Sequence, residues 1–264
     1  MILNKSRSLK PLKTPRINVF GVNVDDISQK NAVDFILNLA KDPSGGHYVV
    51  TVNAEFVMLA KRDKEFAKIL ENADLAVADG WWVAKSRLIM GGREQSRLTG
   101  VDLVEILCTA SVKKSIRIGF LGGFDNVAKV VSERQKKKNK GLKVVCADAG
   151  DPAIGYDLRL KSQLDNVGRI DIMFVAYGMG QQEFWIRRNL KKLDVGVYVG
   201  VGGALDYIGG VKRRAPKILQ DLGLEWLWRL VMEPPRIWRQ RIIPVFFGMI
   251  LVEIIKKKYR LINK

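Results

Sequence analysis

Between residues 16 and 210, apolar runs of strand length alternate with segments of helical period. Parallel βαβ units produce that alternation, because each strand is covered on both faces and each crossover uses a helix. Strands are predicted over 17–22, 48–52, 75–78, 117–121, 143–147, 170–176 and 196–201, and helices over 28–40, 55–71, 80–90, 101–113, 126–138 and 181–192. The fold class that follows is α/β, a Rossmann-like parallel-sheet sandwich. A chain of 264 residues that is 47% hydrophobic can fill one large core or two small ones, and 27% charged is ordinary for a folded protein.

From Val211 onward the pattern changes to helices punctuated by Pro216, Pro234-Pro235 and Pro244. Lys and Arg here number 13 against 4 Asp and Glu, a net +9 of the whole chain's +18. The run "IIPVFFGMILVEII" at 242–255 is 14 residues long, short of the roughly 20 that span a bilayer. Trp226, Trp228, Trp238 and four arginines precede it, and Lys256, Lys257, Lys258 and Arg260 follow. Indoles and cations around a short apolar run suit a segment lying in a membrane interface. A terminal amphipathic helix packed on its own domain fits the same composition, and exposed indoles would also suit contact with a second copy, a homo-oligomer. Three segments are expected: a basic N-terminal extension over 1–15, the α/β domain over 16–210, and a helical, membrane-associated appendage over 211–264.

Other readings of so basic a chain lack their signatures. Zinc-finger spacing, an RNP-like aromatic pattern and a helix-turn-helix are absent, so no nucleic-acid partner is expected. The start has no apolar stretch of signal-peptide length, and Cys108 and Cys146 are isolated, which together predict a cytoplasmic protein touching the membrane from inside. The one histidine, His47, precedes a strand rather than following one, which disfavours a Ser-His-Asp hydrolase. There is no HExxH, Cys/His cluster or post-strand D-x-D, so no metal site and no cofactor is predicted.

In open parallel sheets, ligands sit beyond the carboxyl ends of the strands. The residues there are Thr51 and Asn53, Asp79-Gly80, Gly122-Gly123, "YGMGQQE" at 177–183 and "GVGGALD" at 200–206. Gly122, Gly123, Gly202 and Gly203 can let backbone amides approach a diphosphate, or simply make tight turns; neither cluster matches G-x-G-x-x-G or a P-loop. Asp79 ends an apolar strand and precedes Trp81 and Trp82. Burial there would raise its pKa and suit it as a general base, while a helix N-cap is the competing role. Arg97 can bind phosphate or order a loop, with Asp102 as a candidate partner. Gln182 opens a helix, where its amide can read sugar hydroxyls or a base edge.

The ordered set "TVNAEFVMLA" (51–60), "ADLAVADGWWVAK" (73–85), "RLTGVDL" (97–103), "GFLGG" (119–123), "GQQEFWI" (180–186), "GVGGALDYIGG" (200–210) and "RAPKILQDLGLEWLWRLVMEPPRIWR" (214–239) resembles the WecG/TagA/CpsF glycosyltransferases of bacterial cell-surface polysaccharide synthesis. The resemblance implies a metal-independent, inverting transfer of a hexose from a UDP-sugar donor to an undecaprenyl-diphosphate-linked acceptor at an anionic membrane surface. N-acetylmannosamine added to a lipid-linked GlcNAc or oligosaccharide is the leading expectation. UDP-glucose, UDP-glucuronate or the uronic acid of N-acetylmannosamine are alternative donors, and a non-enzymatic polyanion or nucleotide binder is the rival from another class. By resemblance, Asp79 is the catalytic base and Thr51, Asn53, Arg97, Gln182 and Asp206 line the pocket. Arg229, Arg236 and Arg239 then close over the leaving diphosphate, and their spacing would put them on one face of a continuous helix. One departure stands out: where the family often has Pro-Lys before Gln-Glu, this chain has Gly180-Gln181, without the lysine's charge.

Overall fold

A computed structural model describes residues 14–94 and 96–263. The basic extension expected over 1–15 therefore lies outside the described residues, apart from Thr14 and Pro15. Strands β1 (Arg16–Val19) and β2 (Val22–Asp25) lead into α1 (Gln29–Lys41), β3 (His47–Val52), α2 (Ala54–Ala60), α3 (Lys64–Glu71), β4 (Leu75–Ala78), α4 (Trp81–Ile89) and α5 (Gly100–Lys114). Then follow β5 (Arg117–Gly122), α6 (Val127–Lys138), β6 (Lys143–Asp148), α7 (Asp157–Asp165), β7 (Ile170–Ala176), α8 (Gln181–Asn189), β8 (Val195–Gly200) and α9 (Ala204–Ile208). The appendage comprises α10 (Lys217–Asp221), α11 (Glu225–Met232), a 3₁₀ turn at Pro234–Arg236, α12 (Ile237–Gln240) and α13 (Ile243–Ile262).

Six strands form a wholly parallel sheet in the order β4-β3-β8-β7-β5-β6. The connection leaving β3 runs to one edge and that leaving β5 to the other, so the loops beyond the central strands diverge and leave a crevice. Both faces of the sheet are covered, as the apolar runs imply. Along β7, Ile172, Phe174 and Ala176 join one core with α1, α5, α6 and α9, while Met173 and Val175 join the opposite core with α3 and α8. Phe246 and Ile250 of α13 belong to that second core, so the appendage is packed into the body by one helical face.

Two expectations are corrected, and one helix is unforeseen. The run at 17–22 is not a strand of the parallel sheet: Phe20 and Gly21 take φ of 52° and 101°, the two-residue turn that pairs β1 with β2 as an antiparallel hairpin. Asp25 docks that hairpin, since its buried carboxylate accepts the Ala76 N–H at 2.7 Å and pairs with Arg16 at 3.2 Å. The helix expected over 55–71 is two, because the Asp63 carboxylate accepts the Glu65 and Phe66 N–H groups at 2.9 Å each and starts a new helix. The helical stretch at 157–165 has only two buried residues, Leu160 and Leu164, too thin a stripe to stand out in the sequence.

Candidate active site

Beyond the carboxyl ends of the strands lies a cleft of about 610 Å³. Its lining brings together Thr51, Asn53, Asp79, Gly123, Gln182, Gly202, Gly203 and Asp206 from the body with Arg229, Arg236 and Arg239 from the appendage. A smaller slot of about 90 Å³ shares Asn53, Asp79 and Arg229 with the cleft and adds Arg97. Gly122 is the last residue of β5, behind the cleft wall. A Cβ there would lie 2.6 Å from the Ala176 carbonyl carbon, so the close approach of β5 to β7 requires glycine.

Backbone geometry fixes the body's side chains. Thr51 is buried and its hydroxyl donates to the Gly200 carbonyl at 2.9 Å, tying the end of β3 to that of β8. Asn53 caps α2 by accepting the Phe56 N–H at 3.2 Å. Gln182 accepts the Gly202 N–H at 2.9 Å and donates to Glu183 at 2.6 Å, so its amide sets the glycine loop after β8. Gly202 has a φ of 55° and open space where a side chain would point, which leaves that loop approachable. Burial raises the Glu183 pKa to about 7 against the hydrogen bonds from Gln182 and the Gly180 N–H. Asp206 is buried and pairs with Lys212 at 3.0 Å.

Asp79 hangs at the end of β4, its N–H donating to the Val52 carbonyl at 2.8 Å. The N-cap of α4 is Gly80, with a φ of 106° and no side-chain cap, so Asp79 does not do the capping work. Burial pushes its pKa up to about 7; Arg229 and Arg97 draw it down, and Glu225 and Asp102 push it up. A carboxylate at the mouth of a cleft with that pKa is balanced to take a proton near neutrality.

The appendage supplies the cations, but not from one continuous helix. Arg229 lies on α11, Arg236 ends the 3₁₀ turn made by Pro234-Pro235, and Arg239 lies on α12, so the bend rather than a shared helical face brings them to one cleft. Each is held by a glutamate: Arg229 by Glu225, Arg236 by Glu233 at 2.9 Å, and Arg239 by Glu55 at 2.7 Å. Burial works against the Arg229 charge, but Glu225, with Tyr207 and Asp79 behind it, holds the guanidinium above the usual arginine range. The Tyr207 ring lies 5.1 Å from that guanidinium. Arg97 donates to the Gln220 carbonyl at 3.2 Å and lies 3.8 Å from Glu225. Its partner is therefore the appendage and not Asp102, which instead caps α5 through Thr99 and pairs with Arg214 at 3.1 Å.

Several site residues escape a reading of the sequence. Glu225 and Glu233 sit four and three residues before their arginines, and that spacing is the one local signal for them. Glu55 and Arg239 are 184 positions apart and nothing local links them. Lys212, Arg214 and Tyr207 also line the cleft, and Gln240 and Trp226 line the slot. Among the described residues, no group of three or more His, Cys, Asp and Glu is gathered to hold a metal ion.

The model of the glycosyl transferase WecG/TagA/CpsF family matches residues 17–260, and the chain belongs to that family. A Bacillus spizizenii protein named N-acetylglucosaminyldiphosphoundecaprenol N-acetyl-beta-D-mannosaminyltransferase is 30% identical over 240 residues, covering 87% of this chain and 90% of the relative. A Staphylococcus aureus strain MW2 protein of the same name is 25% identical over 238 residues, covering 88% and 91%. The chain is a glycosyltransferase.

Proposed function

We propose that this member of the family moves N-acetylmannosamine from a UDP-sugar to a polyprenyl-diphosphate-linked GlcNAc, with inversion and without a metal ion. The observation that carries the reading is the opposition, across one cleft, of Asp79 with its pKa near 7 and Arg229, Arg236 and Arg239. In the reaction, the acceptor hydroxyl oxygen bonds to the anomeric carbon as the bond from that carbon to the diphosphate oxygen breaks. The hydroxyl proton passes to Asp79, and the electron pair leaves with UDP. Attack on the face opposite the departing diphosphate inverts the anomeric centre. Three guanidinium forks meet the growing phosphate charge, a geometry suited to phosphate oxygens. Thr51, Asn53, Arg97, Gln182 and Asp206 shape the pocket, and the loops at Gly123 and Gly202-Gly203 bring backbone close to the donor, with Gly122 supporting the first of them from the end of β5.

The same proposal places the protein on the inner membrane face. No helix among the described residues is long and apolar enough to cross a membrane. While Ile243, Phe246 and Ile250 face the core, Val245, Leu251, Val252, Ile255 and Tyr259 on α13 and Trp238 on α12 are exposed. Lys256, Lys258 and Arg260 flank them, each worth about 1 kcal/mol at an anionic leaflet. Binding to anionic vesicles that weakens on neutral ones is expected. Self-association that buries Trp238 without vesicles would instead assign this face to a second copy.

The decisive experiment supplies a panel of UDP-sugars with a short-chain prenyl-diphosphate-GlcNAc and weighs the products. One added N-acetylhexosamine is the expected gain. A hexose or uronic acid gain transfers the assignment to the alternative donors, for which the Gly180-Gln181 departure is the sequence reason. No gain with any donor overturns the proposal.

A further inference from the structure

The slot beside Asp79 shares Asn53, Asp79, Arg97 and Arg229 with the chemistry described above, but that chemistry puts no substrate group inside it. It lies between α4 and the appendage, walled by Trp81, Trp82, Trp226 and Phe247. The Trp82 Nε1–H is met by the Gly223 carbonyl at 3.0 Å, and Gly223 packs so closely on Trp81 that a Cβ there would lie 2.9 Å from the indole. Three residues of this lining carry a buried polar atom with no partner: Gln240, only 4% exposed, at Oε1, Trp226 at Nε1, and Arg229 at Nε, the last belonging to a guanidinium already given to the diphosphate. Native structures keep few such atoms, and each one calls for a partner. The Gln240 acceptor and the Trp226 donor, set among aromatic walls, are the complement of a secondary amide carrying a methyl group. An amide N–H would donate to Gln240 Oε1, its carbonyl would accept from Trp226 Nε1, and its methyl would lie on the indoles.

We infer that the slot receives the acetamido group of a substrate sugar whose reacting atom lies at Asp79. A group of about four heavy atoms suits a space far smaller than the neighbouring cleft, and Asp79 lines both. The inference rests on the transfer reading, in which both substrates are N-acetylhexosamines, as the names of the relatives print. Which of the two enters the slot is decided by the test.

Transfer is compared for acceptors ending in GlcNAc or glucose, and for donors carrying N-acetylmannosamine or mannose, in the unaltered protein, Trp226→Phe and Gln240→Met. The unaltered protein is expected to prefer the acetamido substrate by at least about tenfold in kcat/KM, chiefly through KM, on the arm whose sugar enters the slot. Both variants should lose most of that preference on the same arm. A preference that persists undiminished in both variants, or no preference on either arm, overturns the assignment. If the unaltered protein transfers neither pair, the transfer reading is what fails. Saturation-transfer NMR with methyl N-acetylglucosaminide and methyl N-acetylmannosaminide then judges the slot. The acetyl methyl of one of them must take up saturation from the unaltered protein and lose it with Gln240→Met; no such signal overturns the slot as well.

Discussion

On the body side of the cleft, Thr51, Gln182 and Asp206 are buried and bonded to strand ends, to a glycine loop or to a neighbouring lysine. On the appendage side, Arg229, Arg236 and Arg239 have side chains between 17% and 50% exposed, each held by a single glutamate. The body's groups cannot move without disturbing the sheet. The arginines can exchange one anionic partner for another, because a guanidinium fork fits a carboxylate and a phosphate alike. On the proposed function, Glu225, Glu233 and Glu55 hold these arginines where diphosphate oxygens would replace them. The site thus combines a half fixed by the sheet with a set of replaceable ion pairs, and the proposed reaction gives the first the reacting atoms and the second the leaving group.

The largest effect should come from the rigid half. Asp79→Asn is expected to lower kcat by about 10²–10⁴ while the protein stays folded, the range for loss of a general base. Activity in the unaltered protein should rise with pH and level off above about 7, following the Asp79 carboxyl. Glu183 is also raised to about 7 by burial, so Glu183→Gln separates them: the activity limb must survive that change and vanish with Asp79→Asn. The stability sign is opposite to the activity sign. An acid whose folded pKa is raised stays protonated when its unfolded counterpart, near 3.9, has ionised. Stability therefore falls as pH rises from about 4 to about 7, and Asp79→Asn should melt higher than the unaltered protein at pH 8. Full activity of Asp79→Asn would remove the body's half of the comparison.

The next effect belongs to the arginines. Arg229→Ala or Arg236→Ala should each cost about 10²–10³ in kcat, as expected for a lost charge-stabilising donor, with little change in melting temperature. Removing all of residues 211–264 is a poorer experiment, because Phe246 and Ile250 would leave the second core open. If neither alanine variant slows transfer, the glutamates hold these arginines for structure alone, and the replaceable half is not catalytic.

Sequence patterns carry unequal information about the two halves. Period and glycine punctuation alone put Asp79, Thr51, Gly122 and Gly202 at strand ends, and a parallel sheet binds its ligands beyond those ends. The opening hairpin is hidden because Phe20 is itself apolar, so "INVFGV" reads as an unbroken strand although its turn lies inside. In the appendage, composition marks the cations but leaves their arrangement open. The apolar run after Ile242 suits a bilayer or a core equally, and α13 uses opposite faces for a buried seam and an exposed one. The pairings of Arg239 with Glu55 and Arg97 with Gln220 depend on how the chain returns across the site, which no local pattern records.

The smallest effect tests whether the body's rigidity is one property or several. His47, at the start of β3 and thus the end of the sheet away from the cleft, lies between Asp74 at 3.1 Å and Asp42 at 3.0 Å. The Asp74 hydrogen bond, opposed by burial and helped by Asp42, raises the histidine's pKa. A histidine raised on folding contributes stability that is complete below its unfolded value, near 6.5, and lost as pH climbs through the folded one. His47→Gln should therefore lower the melting temperature at pH 5.5 by the equivalent of roughly 1 kcal/mol or less and matter less at pH 8.5, since the pair is partly solvated. Transfer rate should not follow that loss. A fall in kcat parallel to the fall in stability would mean that the far end of the sheet helps hold Asp79 in place, and that the rigid half of the site extends through the whole length of β3 and β4.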